Sequence, residues 1–251
     1  MSHPTGDATY SEAITRATRY MRWVTDVMRP YLGRRLLEVG LGHGGYHSFF
    51  GPLDRYVGVD LDEAAVEEMR RRLPAERIEH LDIAASDVEH RLGDERFDTI
   101  VAINVLEHVP DDRGAIRNLA SILEPGGHLL LWQPALPRIY NDLDRLAGHL
   151  RRYTRNSLLQ SLPTLLEPVN LAYMNPIGGM GWWLNGWKRK RSLNDPHVNA
   201  QIAWFDRYGV PISKALNPIT KRWFGQSIFL AARRGGWSAP PEDLMVDRDH
   251  R

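Results

Sequence analysis

Residues 36–45, LLEVGLGHGG, end a short apolar run in a glycine-rich turn, and the turn fits two spacings. Counted as Gly40, Gly42 and Gly45 it is G-x-G-x-x-G, a fingerprint of dinucleotide binding. Counted as Glu38, Gly40, Gly42 and Gly44 it is E-x-G-x-G-x-G. In both, glycines after a strand let a ligand approach the backbone, and the free N–H groups of the next element face an anion. The spacings part at Glu38, a carboxylate two residues before Gly40. Beside a pyrophosphate it is a like charge, and at ~4 Å with an effective dielectric near 20 the repulsion is about 4 kcal/mol. Glu38 therefore favours a ligand carrying positive charge. His43, inside the turn, either touches that ligand or faces solvent.

Outward from the turn, apolar runs alternate with amphipathic stretches. Strands are expected at 35–39, 56–59, 78–81, 99–103 and 128–132, apolar on both faces as in a buried parallel sheet. Helices are expected at 63–73 and 112–123, the second stopping at Pro125-Gly126-Gly127. Strand and helix in alternation imply a doubly wound α/β fold. Ahead of this core, Tyr10 to Leu32 reads as a helix in an N-terminal segment, 1–34. After it come a helix at 154–162 and late strands at 169–174 and 227–232. Between those strands lies a long insertion, 175–226, expected to wall an acceptor pocket. The polar tail from Gly235 to Arg251 is expected to be disordered.

Composition narrows the function. Lys and Arg number 32 against 31 Asp and Glu, for a net charge of +1, which disfavours nucleic acid as a partner. The absence of cysteine excludes disulfides, thiolate metal sites and a cysteine nucleophile, and fits a cytoplasmic protein. No run approaches the ~20 apolar residues of a membrane span, so stable membrane insertion is not expected. The expected partner is a small-molecule acceptor, and a homodimer remains open.

S-adenosylmethionine (SAM), with its ammonium and sulfonium groups, has the charge that Glu38 favours. Asp60 closes the second strand in YVGVD, twenty residues after Gly40, where it can accept from ribose hydroxyls with either cofactor. Asp82 follows the third strand, where an adenine amino group can donate to it. The stretches LLEVGLGHG, VGVDLD, Leu81-Asp82, FDTIVAINVLEHVPD and LEPGGHLLLWQP, in order across residues 35–134, resemble the successive motifs of class I SAM-dependent methyltransferases. The resemblance implies a Rossmann-like seven-stranded sheet whose last strand is antiparallel, within a methyltransferase domain at 35–234. It implies that Glu38, Gly40, Gly42 and Gly44 cradle the methionine part of SAM, Asp60 with Leu61 the ribose, and Asp82 with Ile83 the adenine. Asn104 would then lie beside the methionine moiety. The activity implied is methyl transfer to oxygen, nitrogen or carbon of a small organic acceptor, in natural-product or glycan- or lipid-linked biosynthesis. An NAD(P)-dependent oxidoreductase, or a SAM-fold protein that transfers no methyl group, remains the alternative.

Methyl transfer from a sulfonium is an in-line displacement, so positioning supplies much of the acceleration and a general base is needed only for some acceptors. Glu107 and His108, just past the fourth strand, stand at the ligand-bearing edge of the sheet. A rival base, His149, lies in D-x-x-x-G-H-x-R-R-Y, from Asp144 to Tyr153, a segment resembling part of the same family. There Arg151 and Arg152 can hold an anionic acceptor, with Tyr153 beside them. GWWLNGWKRKR at 181–191 adds Trp183 as an aromatic acceptor contact, and suits a membrane interface or single-stranded nucleic acid as well. No metal cluster is expected, because the ten histidines lack zinc-site spacing. After the fourth strand Asn104-Val105-Leu106-Glu107 stands where base-flipping methyltransferases carry N-P-P-Y.

Overall fold

The computed structural model describes residues 16–42, 44–93, 95–185 and 196–235. The expected helix start at Tyr10, His43, the cations at 188–191 and the tail beyond Gly235 lie outside the described residues. Seven strands form one sheet: β1 (Arg35–Val39), β2 (Arg55–Asp60), β3 (Arg77–His80), β4 (Phe97–Ile103), β5 (Leu123–Pro134), β6 (Leu166–Met174) and β7 (Ser227–Arg234). Their order is β3-β2-β1-β4-β5-β7-β6. The first five run parallel, and β7 is antiparallel to both neighbours, as expected. The order reverses between β1 and β4, which opens a crevice at their carboxyl ends.

Helices cover both faces: α1 (Thr18–Met28), α2 (Glu63–Arg72), α3 (Val88–Leu92), α4 (Asp112–Ile122), α5 (Asp142–Leu146) and α6 (Arg155–Leu159). Three more, α7 (Pro176–Asn185), α8 (Pro196–Trp204) and α9 (Val210–Thr220), make up the insertion between β6 and β7. Local chemistry sets their starts. Asp62 caps α2 by accepting from the Ala64 N–H, and Asp111 caps α4 by accepting from Gly114. Arg70, Arg71 and Arg72 end α2, where the helix dipole favours cations.

One face of the sheet buries Leu37, Val57, Ile100 and Leu129 against α3 and α4 residues such as Leu92 and Leu119. The other buries Leu36, Tyr56, Val101 and Trp132 under α1. There the Trp132 indole N–H donates to the Tyr20 hydroxyl at 3.1 Å, and Trp23 packs edge-on against Trp132. Among the described residues no helix is long and apolar enough to cross a membrane.

Several expected boundaries move: the strand expected at 169–174 begins at Leu166, and the N-terminal α-helix ends at Met28 before one 3-10 turn. Pro125-Gly126-Gly127 is not a turn after α4; the helix passes straight into β5 at Leu123, and the strand carries the three residues as an irregularity between Phe97 and Thr99 of its partner. Gly126, at φ +82°, supplies the backbone angle that such a bulge requires. The helix at 154–162 shortens to α6, with Thr154 as its cap.

Candidate active site

The backbone separates the two spacings. Gly40, Gly42 and Gly44 have φ of +71°, +48° and +68°, whereas Gly45 has no left-handed angle. The glycines that must be glycine are thus those of E-x-G-x-G-x-G. A Cβ on Gly40 would stand 2.3 Å from Cγ2 of Val105, so the turn after β1 packs directly on the turn after β4. Asp60 holds the loop: Oδ2 accepts from Gly42 N–H at 2.8 Å, and Oδ1 accepts from Asp62 N–H at 2.9 Å. Leu61 is exposed beside it, its carbonyl 2.9 Å from His80 Nε2. Asp82 is exposed and accepts from Ala84 N–H, while Ile83 is buried.

Glu38 is buried on the Tyr56 side of the sheet, where the Tyr56 hydroxyl donates to Oε2 at 2.6 Å. Burial pushes its carboxyl up to about 7; the Tyr56 hydrogen bond opposes the rise and Asp60 adds to it. The electrostatic reading of Glu38 changes form accordingly. Near neutrality it is a carboxyl that a nearby cation would deprotonate, instead of a standing negative charge.

At the end of β4, Asn104 adopts φ +52° with its side chain exposed and its N–H donating to the Trp132 carbonyl. Gln133, fully buried near the end of β5, braces this turn: Oε1 accepts from Val105 and Leu106 N–H, and Nε2 donates to the Ala102 carbonyl. Sequence reading passed over Gln133. The signal was there, because an amide inside the apolar run LLLWQP is buried only where it has backbone groups to satisfy.

Two of the proposed bases meet a third group. Glu107 is fully buried, and among the described residues neither of its carboxyl oxygens has a hydrogen-bond partner. Burial lifts it to about 7, against the pull of His149, whose Nε2 lies 3.7 Å from Oε1. The His108 and His149 rings stand edge-on at 4.9 Å. The ligand atoms of Glu107, His108 and His149 all lie within 4.8 Å of one another, a set with metal-binding character. The fold brings together residues too far apart in sequence for a spacing rule to catch.

His149 is held from behind. Its Nδ1 lies 2.8 Å from Asp144 Oδ1, which also accepts from Arg152 Nε at 2.8 Å. Asp144 Oδ2 accepts from Asn141 N–H and from the Trp182 indole N–H. Burial alone would raise the Asp144 carboxyl, but His149, Arg152, Trp182 and Asn141 together hold it below the usual carboxylate range. An anionic Asp144 favours a proton on Nδ1, the ring nitrogen that faces it, and Nε2 is the nitrogen turned toward Glu107. Leu150 N–H donates to the Glu107 carbonyl, binding the two segments together.

The remaining expected residues fall nearby in different settings. Tyr153 is buried with its hydroxyl donating to Asp112 Oδ2 at 2.7 Å, and Arg151 pairs with the same oxygen at 2.9 Å. On α7 it is Trp182, not Trp183, that reaches the Asp144 network, with the Arg152 guanidinium 5.0 Å from its ring centre. Trp183 is exposed. No sequence spacing distinguished the two tryptophans.

A glycine turn with an acid on either side stands at the switch point of the β3-β2-β1-β4-β5-β7-β6 sheet, where doubly wound folds take a ligand at the carboxyl ends of their strands. Residues 37–129 match the family model described as a methyltransferase domain. Ubiquinone biosynthesis O-methyltransferase of Coxiella burnetii is 31% identical over 99 residues, 39% of this chain and 42% of that protein. A probable S-adenosylmethionine-dependent methyltransferase of Mycolicibacterium smegmatis is 35% identical over 147 residues, 58% of this chain and 55% of that one. The chain thus spans about half the length of the curated relatives it matches. SAM-bound CalS10, an amino pentose methyltransferase from Micromonospora echinaspora, shares the fold with a TM-score of 0.56 at 16% identity, over 92% of this chain and 100% of that one.

Proposed function

We propose that this chain transfers the methyl group of SAM to a small organic acceptor taken at the edge that bears Glu107, His108 and His149. The observation that carries the proposal is the unit of three left-handed glycines tied to Asp60 and flanked by the buried carboxyl of Glu38. Those groups suit a cationic nucleoside. Glu38, Gly40, Gly42, Gly44 and Asn104 are assigned to its methionine part, Asp60 and Leu61 to its ribose, and Asp82 and Ile83 to its adenine. When bound, SAM supplies an activated methyl group on a sulfonium.

His149, with Nδ1 committed to Asp144, is the group we assign to take a proton from the acceptor through Nε2. Glu107 and His108 face it and position the acceptor's polar atom. Arg151 and Tyr153 act on the acceptor side by holding their segment to Asp112, and Trp183 is assigned to an apolar part of the acceptor. The names of the matched proteins, an O-methyltransferase of ubiquinone biosynthesis and an amino pentose methyltransferase, support hydroxyl- or amine-bearing biosynthetic acceptors. Thermal shift with SAM, its demethylated product and NADH tests the cofactor, since only a ligand of the native state raises the melting point by mass action. SAM and its product should each stabilise, and labelled methyl should reach an acceptor in a broad panel; stabilisation by NADH alone would overturn the proposal.

A further inference from the structure

The insertion turns its apolar side to water. A helical run through α8, one π-turn (Phe205–Gly209) and α9 exposes Trp204 by 55%, Tyr208 by 48%, Ile212 by 46%, Leu216 by 38%, Ile219 by 70% and Trp223, just beyond it, by 61%. Steps of three and four residues put them along one side. The opposite side of α9 buries Val210, Ser213 and Asn217. Ser213 donates to the buried Asn175, and Asn217 accepts from the Asn175 N–H, so the inward face is satisfied by polar contacts. An ordinary surface helix buries apolar and exposes polar residues; α9 does the reverse at three exposed apolar positions, Ile212, Leu216 and Ile219, and two buried polar ones.

Charge accompanies the stripe. Segment 175–226 holds eight Lys and Arg against two Asp, while the rest of the chain holds 24 cations against 29 acids. Of the described cations, Arg207, Lys214, Lys221 and Arg222 are all exposed, and Lys214 lies 3.9 Å from Asp26. The one acid of the helical run, Asp206, faces inward to accept from the Tyr20 N–H at the start of α1. Apolar side chains with tryptophan at each end, accompanied by exposed cations on helices that, among the described residues, carry no exposed acid of their own, match the headgroup layer of an anionic bilayer, which takes aromatic rings at its boundary and attracts positive charge; Asp26 of α1 is the exposed acid beside Lys214.

We propose that the α8–α9 face docks on anionic lipid membranes, holding the protein at the surface without spanning the bilayer. The inference goes beyond the methyl-transfer reading and rests on none of its residues. It is tested by flotation of the full chain with vesicles of phosphatidylcholine alone or mixed with phosphatidylglycerol. The chain should float with the mixed vesicles about tenfold more than with neutral ones, and raised salt should weaken the difference. Ile219→Ser with Trp223→Ser should lower partitioning about tenfold or more, and Lys221→Glu with Arg222→Glu should remove the preference for the anionic lipid. Both pairs are exposed, so the SAM-induced thermal shift should persist in each variant and report the fold. Failure of the wild-type chain to float, or flotation unchanged in the serine pair, would overturn the proposal. So would sedimentation showing a dimer that the serine pair dissociates without any vesicle binding, which would assign the face to a second copy. Loss of SAM binding with flotation intact would count against the methyl-transfer reading alone.

Discussion

Replacing Glu38 by glutamine isolates the cost of its buried charge. Glutamine keeps the volume and an oxygen for the Tyr56 hydroxyl, but it cannot ionise. Burial, opposed by Tyr56 and reinforced by Asp60, lifts the native carboxyl from 4.5 to about 7. The native state therefore keeps this proton to higher pH than the unfolded chain does. Its contribution is most favourable below pH 4.5, declines as pH rises to about 7, and is flat beyond. At ~1.4 kcal/mol per pH unit the full loss is about 3 kcal/mol. Melting curves of the ligand-free proteins from pH 5 to 8 should show the variant drawing ahead of wild type as pH rises, by roughly 6–12 °C at pH 8 for a chain of this size. A gap that stays constant over that range would refute the reasoning. SAM should reverse the order, because its cationic groups reward the ionised form: calorimetry at pH 7 in buffers of different ionisation enthalpy should find about half a proton released by wild type and none by the variant.

Four further outcomes follow from the site. His149→Ala should lower kcat by about 10²- to 10⁴-fold on a hydroxyl acceptor while leaving SAM affinity within about twofold, measured by steady-state kinetics and calorimetry. Asp144→Asn should lower kcat less than His149→Ala and change the pH profile, since the amide no longer fixes Nδ1–H; an unchanged profile would remove Asp144 from that role. Turnover should survive treatment with EDTA, and its loss with recovery on adding a divalent ion would transfer the function of Glu107, His108 and His149 to a bound metal. Gly40→Ala should cost at least about 1–2 kcal/mol of stability for a left-handed alanine, on top of the clash with Val105, and abolish SAM stabilisation in thermal shift.

Much of the sheet could be read in advance because its strands are apolar on both faces and broken by turn residues. The exceptions have local causes. Pro125-Gly126-Gly127 has the composition of a loop, yet a bulge with one left-handed glycine lets β5 run through it. The first half of the site, from Glu38 to Asp82, lies along consecutive strand ends, so sequence order mirrors space. The second half does not. Glu107 meets His149, and Trp182 meets Asp144, only because the segment after β5 folds back beside the end of β4. The state of Glu38 was likewise invisible, since burial and the Tyr56 hydroxyl both depend on β2 lying against β1.

Asn175 and Gln226, at the two ends of the insertion, join through an amide pair at 2.7 Å, and Gln226 N–H donates to the Asn175 carbonyl. The left-handed backbone of Asn175 turns the chain out of β6 at that point. Everything from 176 to 225 thus leaves and re-enters through a single doorway, and the antiparallel pairing of β6 with β7 closes without it. A short hairpin connection in its place would keep the sheet's pairing but strip Trp182 from the carboxylate behind His149, so the excursion doubles as the back wall of the reaction centre.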